Sequence, residues 1–184
     1  VTMNIAIAAG IKSASGGSPL KKMTASVTVP GSSSYAKIES IDFTLVKNDA
    51  QEYEQVIAIE TTAKISADNL QSALSVYELP QDKPAEPGRR GEKDYEWYSE
   101  EEVTDTVIKN SKALSFTALP SELEYDTMHS FVIDAKPGTY LYVAIKDGAK
   151  FYGDYYLTDP HGEVVKVRSY PKETTILSDG TIIS

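Results

Sequence analysis

Residues 129–169 read HSFVIDAKPGTYLYVAIKDGAKFYGDYYLTDPHGEVVKVRS, and this stretch decides the fold class. It contains four runs rich in β-branched and aromatic residues, at 129–135, 139–145, 151–158 and 163–169. Runs of this length between turn-forming residues are typical of β-strands. We therefore predict four strands here that are joined by short turns.

Three clusters of turn-forming residues separate these runs. KPG at 136–138 and DG at 147–148 interrupt the pattern, and DPHG follows at 159–162. Proline in the second place and glycine in the fourth favour a β-turn. The sequence thus predicts a tight turn at 159–162, directly before the last of the four strands.

The rest of the chain is also rich in β-forming residues. The pattern predicts further strands at 21–30, 35–46, 53–65, 103–108 and 113–119, and a hairpin at 174–183 around a DG pair. Ile38 is out of phase with Ile41, which indicates a β-bulge near Glu39 and Ser40.

One segment has helical rather than β spacing. Ser66 suits a helix N-cap, apolar residues recur after it at helical spacing, and Pro80 would end the helix. We predict a short helix near 66–79. Residues 81–102 then form a long polar loop, and connections of that length are usually functional or mobile.

These elements together predict an all-β fold. Ten to twelve strands with frequent turn signals indicate an antiparallel β-sandwich, of the jelly-roll or immunoglobulin-like type. We predict an N-terminal strand and flexible tether at residues 1–19, followed by a single sandwich domain at 20–184.

Composition limits the function. The chain has 184 residues, a net charge of −9 and no cysteine. The negative charge argues against binding to nucleic acid or to an anionic membrane, and the lack of cysteine excludes disulfides and thiol catalysis. The sequence contains no run of about 20 apolar residues, the length that a membrane-spanning helix needs, so we do not expect membrane insertion. Because the chain starts at Val1 rather than at methionine, we expect a processed, extracellular or cell-surface protein.

The first eleven residues alternate between apolar and small or polar side chains, as a strand with one apolar face does. Such a strand can pair within its own subunit or enter a neighbouring one. A polymer interface would use Val1, Met3, Ile5 and Ile7, with Gly16 and Gly17 as the hinge.

Catalytic signals are weak. The two histidines, His129 and His161, lie in no hydrolase or metal-binding motif, so we predict that the protein is not an enzyme and has no cofactor. Calcium is a possible exception because carboxylates are plentiful. Its candidate ligands are Asp94, Glu96, Glu100, Asp154 and Asp159.

Aromatic residues offer a second kind of site. The chain has 12 tyrosines and one tryptophan. Exposed aromatic rings can stack on sugars, although aromatic pairs also stabilise sheets and interfaces. The candidates for glycan stacking are Trp97, Tyr98, Tyr140 and Tyr142.

The chain carries two resemblances to known families. Residues 130–167 contain an F-x-I-x-A-x-P-G segment and a D-x-Y-L-x-D-P-x-G-x-V segment, and they resemble bacterial pre-peptidase C-terminal domains, which are secreted sandwiches. The layout as a whole is similar to pilin-like and biofilm-fibre subunits that exchange an N-terminal donor strand.

The leading functional hypothesis follows from the second resemblance. It is a non-enzymatic extracellular subunit that assembles with itself into a filament, pilus or matrix fibre by donor-strand exchange. The alternative is a monomeric sandwich that binds carbohydrate or calcium.

Overall fold

The structure, a computed structural model, describes residues 1–12, 14–19 and 21–171. Its strands are β1 Thr2–Ile7, β2 Met23–Thr28, β3 Ile38–Lys47, β4 Tyr53–Ile65, β5 Leu74–Glu78, β6 Lys112–Leu114, β7 Phe116–Ala118, β8 Asp126–Ile133, β9 Tyr140–Ile145 and β10 His161–Lys166. Its helices are α1 Ser32–Tyr35, α2 Ala67–Ala73 and α3 Asp105–Lys109, with a 3₁₀ turn at Glu100–Glu102.

Eight of these strands form two antiparallel sheets. Sheet 1 has the order β3-β4-β8-β7, and sheet 2 has the order β10-β9-β5-β6. The strands of an immunoglobulin-like sandwich are named by letters, and here β3 to β10 correspond in chain order to A, B, C, C′, D, E, F and G. Sheet 1 then has the order A-B-E-D and sheet 2 the order G-F-C-C′, as in that fold. The predicted all-β antiparallel sandwich is confirmed, and of the two types named above the strand order is the immunoglobulin-like one.

The core between the sheets comes from the alternation of side chains along the strands. Ile57 and Ile59 of β4, Phe131 of β8 and Leu141 of β9 are all completely buried. In the regular parts of these strands every second residue points to this side, because successive side chains of a strand alternate between the faces of the sheet. Phe151, from the connection before β10, closes the same cluster.

A buried polar contact fixes the end of β8. The side chain of Gln55 accepts a hydrogen bond from the Ala135 N–H at 2.8 Å and donates one to the Ala135 carbonyl at 2.9 Å. Gln55 is buried, so both bonds replace the water that its amide gives up. This contact sets the point at which the chain leaves sheet 1 for sheet 2.

Several local predictions are confirmed. The strand predicted at 53–65 is β4, and the register between β3 and β4 shifts between Ile38 and Ser40, as the predicted bulge requires. The Ser66 side chain caps α2 by accepting a hydrogen bond from the Asn69 N–H. The helix ends at Ala73, however, because the next five residues pair with β9 and bury Leu74 and Val76 in the core.

Other local predictions are wrong. Residues 103–108 contain α3 rather than a strand, since the Thr104 side chain caps a helix there. The run predicted at 113–119 is divided at Ser115 between β6 in sheet 2 and β7 in sheet 1.

The region before β10 also differs from the prediction. Residues 151–158 form a turn rather than a strand, with left-handed backbone at Gly153 and Asp154. His161 and Gly162, predicted in a tight turn, are the first residues of β10. The hairpin predicted at 174–183 lies outside the described residues.

The N-terminal strand pairs with another strand of the same chain. β1 and β2 form a separate two-stranded antiparallel sheet, in which Met3 lies opposite Val27 and Ile7 opposite Met23. All twelve residues of the two strands are exposed. The predicted domain boundary between residues 19 and 20 stays a prediction. A boundary there would place β1 and β2, which pair with each other, in different units.

The core predicts the effect of a truncation. Ile57→Ala should lower the free energy of unfolding by about 2–5 kcal/mol, because it removes buried apolar atoms and leaves a cavity. Val46→Ala on the neighbouring strand, where the side chain is 42% exposed, should cost about 0.5 kcal/mol or less. Urea unfolding of both variants measures the difference, and similar losses would contradict this assignment of the core.

Candidate functional site

The outer face of sheet 2 carries a row of apolar and aromatic side chains. Val164, Tyr142, Tyr77 and Ala113 lie opposite one another across β10, β9, β5 and β6. None of these four residues belongs to the core between the sheets. A strand such as β9 therefore presents apolar surface on both faces, and the outer one needs its own cover.

Residues 79–111, which we call the cap, provide this cover. The Trp97 indole is only 2% exposed and donates a hydrogen bond to the Pro80 carbonyl at 2.9 Å. It forms a small second core with Leu79 and with Val107 of α3. The partly buried residues packed against this core are Tyr95, Val103, Tyr140, Tyr142 and Val164.

A cation and a carboxylate fasten the cap internally. The Tyr95 hydroxyl donates to Glu102 Oε1 at 2.5 Å and accepts from Lys83 Nζ at 2.9 Å. Lys83 Nζ also lies 3.5 Å from Glu102 Oε1, and 5.5 Å from the centre of the Trp97 ring. This cluster of Lys83, Tyr95 and Glu102, which we call the latch, joins three separate parts of the cap.

The latch shifts the titration of its charged members. The hydrogen bond from Tyr95 holds the pKa of Glu102 below its ordinary value, and main-chain donors at Tyr98 and Ser99 act in the same direction. The hydrogen bond with Tyr95 raises the pKa of Lys83, and the nearby Glu102 carboxylate adds to this. Both groups are thus held in their charged forms.

A second ionic contact joins the cap to β10. Glu96 accepts a hydrogen bond from the Tyr98 hydroxyl at 2.6 Å and lies 3.7 Å from Lys166 Nζ. Lys166 Nζ in turn sits 4.9 Å from the centre of the Tyr140 ring. Beside this contact is an open cleft of about 310 Å³, whose other wall is the turn at Pro137 and Gly138.

Gly162 allows close packing at the other side of the cap. A Cβ at this position would lie 2.7 Å from Cε2 of Tyr142, so the tyrosine ring covers the bare backbone of β10. The Gly162 N–H donates to Glu100 Oε2 at 3.2 Å, which joins the cap to this strand. Burial raises the pKa of the Tyr142 phenol.

The predicted stacking residues do not form one open platform. Trp97 is buried beneath the cap and Tyr142 is partly buried. Tyr98 is 75% exposed, and it shares Glu96 and Lys166 with Tyr140 as neighbours. The two rings that the cap covers are therefore structural in this arrangement.

The predicted calcium ligands are spread over the surface. Asp94 accepts from the Gln81 side chain, Asp154 pairs with Lys150 at 2.7 Å, and Asp159 accepts from Thr158. Glu96 and Glu100 contact β10. Within residues 1–12, 14–19 and 21–171, no three histidine or acidic side chains are grouped so that they could hold a metal ion.

The ring of each histidine lies near an acidic residue that is two or three positions away in the sequence. A ring nitrogen of His129, which is buried in β8, lies 3.1 Å from the Asp126 carbonyl. His161 Nε2 lies 3.9 Å from a Glu163 carboxylate oxygen, beyond hydrogen-bonding distance.

The predicted polymer interface is present as an exposed surface. Val1, Met3, Ile5 and Ile7 are between 39% and 91% exposed. The predicted hinge glycines, Gly16 and Gly17, both have left-handed backbone.

Sequence reasoning missed the latch. In the sequence, Lys83 and Glu102 look like solvated charges in a polar loop. The same holds for another contact within the cap, in which the Thr104 hydroxyl donates a hydrogen bond to Glu86, 18 residues earlier in the chain. One usable signal existed. Tyr95 and Trp97 sit in this polar stretch, while Tyr140 and Tyr142 share the outer face of a strand whose other face is fully apolar.

Comparison with known proteins found three curated relatives. The chain is 37% identical over 158 residues to the alpha-2-macroglobulin of Rickettsia conorii, and 26% identical over 159 residues to an alpha-2-macroglobulin homolog of Yersinia pestis. The alpha-2-macroglobulin of Pasteurella multocida is 24% identical over 149 residues. This chain is similar to part of alpha-2-macroglobulin.

The extent of these matches is unequal. They cover 79% to 86% of this chain, but the chain spans only 7% to 8% of the length of the relatives. No family model and no solved structure matches the chain. The similarity is therefore one between this chain and a domain-sized part of much longer proteins.

The relatives correct the functional hypotheses. The predicted subunit of a filament, pilus or matrix fibre, with its own copies as partners, is wrong, because the matched proteins are alpha-2-macroglobulins. Pairing of β1 with β2 of the same chain is the corresponding physical difference from a donor strand. The alternative sandwich that binds carbohydrate or calcium has no support either.

The predicted location is confirmed in a coarse form. The relatives are secreted, periplasmic or extracellular proteins, so a place outside the cytoplasm agrees with them. In the part of the chain that the structure describes, none of the helices has the length and apolar character needed to cross a membrane.

Burial of the single tryptophan gives one prediction. Trp97→Ala should lower the free energy of unfolding by about 3–5 kcal/mol, since it empties the second core. The neighbouring exposed residue supplies the control, and Tyr98→Ala should cost about 0.5 kcal/mol or less. Chemical unfolding followed by circular dichroism measures both. Equal effects of the two substitutions would contradict the burial of Trp97.

The latch gives a prediction about pH. Because the pKa of Glu102 is lowered from 4.5 in the folded protein, its contribution to stability is complete above about pH 4.5 and is lost as the pH falls through the folded pKa. Glu102→Gln should reduce stability at neutral pH and weaken the loss of stability below pH 4.5.

The adjacent Glu101, which is exposed, provides the matched control for this experiment. Glu101→Gln should leave the stability at neutral pH, and the loss of stability below pH 4.5, close to those of the unmodified chain. Thermal unfolding between pH 2 and pH 7 compares the three proteins. An unchanged loss of stability at acid pH in Glu102→Gln would contradict the role of the latch.

Proposed function

We propose that this chain is a non-catalytic β-sandwich domain of a longer protein of alpha-2-macroglobulin type, and that it serves there as a rigid structural unit. One observation carries the proposal. The relatives match along most of this chain, yet the matched part is less than a tenth of their own length. Such a pattern supports one domain among many in a long polypeptide.

The packing supports a structural role. Sheet 2 is covered on its inner face by sheet 1 and on its outer face by the cap, so its central strand β9 is held from both sides. Packing on both faces restricts the movement of β9, as a rigid structural unit requires. Its contribution to a larger protein would be to hold other parts at fixed positions.

The surroundings of the histidines support the absence of catalysis. A ring nitrogen of His129 faces the main-chain carbonyl of Asp126, close by in its own strand. The nearest acidic group to His161 is Glu163, at a distance too long for a hydrogen bond. Across the described ranges, neither imidazole is hydrogen-bonded to a serine or threonine hydroxyl that it could activate.

The relatives suggest what the longer protein would do. Alpha-2-macroglobulins bind and inhibit proteases, and we extend this to the polypeptide of which this chain would be a part. The proposed location is the outer side of the cell, at the surface, where the protein would meet such proteases.

The test compares the 184-residue chain with the complete polypeptide that its gene encodes. Each is mixed with trypsin, and the cleavage rate of a large protein substrate is measured. We expect the complete polypeptide to lower this rate and the 184-residue chain, even in excess, to leave it unchanged.

Two results would overturn the proposal. The first is stoichiometric inhibition by the 184-residue chain alone, which would make it an inhibitor in its own right. The second is hydrolysis of a peptide or ester substrate by the chain, lost in His161→Ala or His129→Ala but kept in Tyr98→Ala. A complete polypeptide that leaves trypsin unaffected would remove the protease-binding part of the proposal.

A further inference from the structure

The hairpin of β1 and β2 has one face that is entirely apolar. Three pairs of opposite residues place their side chains on this face: Met3 with Val27, Ile5 with Ala25, and Ile7 with Met23. Val1 and Val29 form a fourth pair, which two main-chain hydrogen bonds join. The members of this face, which we call the hairpin face, are Val1, Met3, Ile5, Ile7, Met23, Ala25, Val27 and Val29.

The opposite face of the hairpin is different. It carries small or polar residues, and Ser26 donates a hydrogen bond to the Asn4 side chain there at 2.7 Å. Apolar side chains are therefore segregated to one side, as in a sheet with one buried face. Yet every residue of the hairpin face is exposed, with Val1 at 91% and Ile7 at 39%, so nothing in the described part of the chain buries it.

An isolated hairpin of this kind needs a partner. Two strands without a packed face are at best marginally stable in water, and a contiguous apolar patch usually marks an interaction surface. The question is which partner fits the size of the patch.

The size of the hairpin face favours a tethered partner over a free one. The face consists of eight residues. A stable complex of independent proteins uses about 20–30 residues on each partner. A partner in the same polypeptide needs far less contact, because covalent linkage gives an effective concentration on the order of millimolar.

We propose that the hairpin face docks on an apolar surface of an adjoining domain in the same long polypeptide. The inference rests on the proposed function, since more than nine-tenths of each relative lies outside the part that this chain matches. The hairpin is then an interdomain contact.

Hydrogen exchange tests the docking. Amide exchange in residues 1–7 and 23–28 is measured by mass spectrometry in the 184-residue chain and in the complete polypeptide that its gene encodes. Docking should slow exchange in both segments by about tenfold or more in the complete polypeptide, because it removes the local opening of the hairpin.

Two adjacent substitutions provide the matched comparison. Ile5→Glu places a charge in the middle of the hairpin face, whereas Ala6→Glu places the same charge on the opposite face of β1. In the complete polypeptide, Ile5→Glu should return exchange to the rate of the 184-residue chain, and Ala6→Glu should keep the protection.

Several outcomes would overturn the inference. Equal exchange in the two proteins, or equal effects of the two substitutions, would leave the face without a partner domain. Protection in the 184-residue chain that rises with its concentration would assign the face to a second copy.

The failure of the inference and that of the proposed function are distinguishable. A complete polypeptide that inhibits trypsin but has an unprotected hairpin overturns only the docking. A natural gene product no longer than this chain overturns both.

Discussion

Strand β9 has apolar residues on both faces, and the rest of the structure follows from that constraint. Leu141, Val143 and Ile145 point into the core between the sheets, while Tyr140 and Tyr142 point the other way. A strand of this composition is stable only when a layer covers each side. Sheet 1 supplies one layer, and the cap, which looks like a solvated loop in the sequence, supplies the other.

The cap covers this face without a long strand or helix of its own. Its order comes from Trp97, which packs on the outer face, and from the latch, which joins Lys83 to Glu102 through Tyr95. An ion pair between exposed side chains contributes little, but Lys83 and Glu102 are partly shielded and share a hydroxyl group. The charges therefore specify the shape of the cap, and the buried side chains of Leu79, Trp97 and Val107 supply its apolar core.

Sequence patterns identified the features that depend on local chemistry. β4, the bulge at Ser40 and the N-cap at Ser66 each follow from a few neighbouring residues, and the fold class follows from their repetition. The end of α2, the change of sheet at Ser115 and the burial of Trp97 depend on partners far along the chain. No window of sequence contains those partners, so the polar composition of residues 81–102 hid a packed layer.

The change of sheet at Ser115 has a mechanical consequence. β6 and β7 are one uninterrupted run of chain, with a single residue between a strand that belongs to sheet 2 and a strand that belongs to sheet 1. The sheets cannot slide apart while both strands stay paired, because the run is too short to stretch. Separation of the layers at this edge therefore requires rupture of one of two three-residue ladders, either that of β6 with β5 or that of β7 with β8.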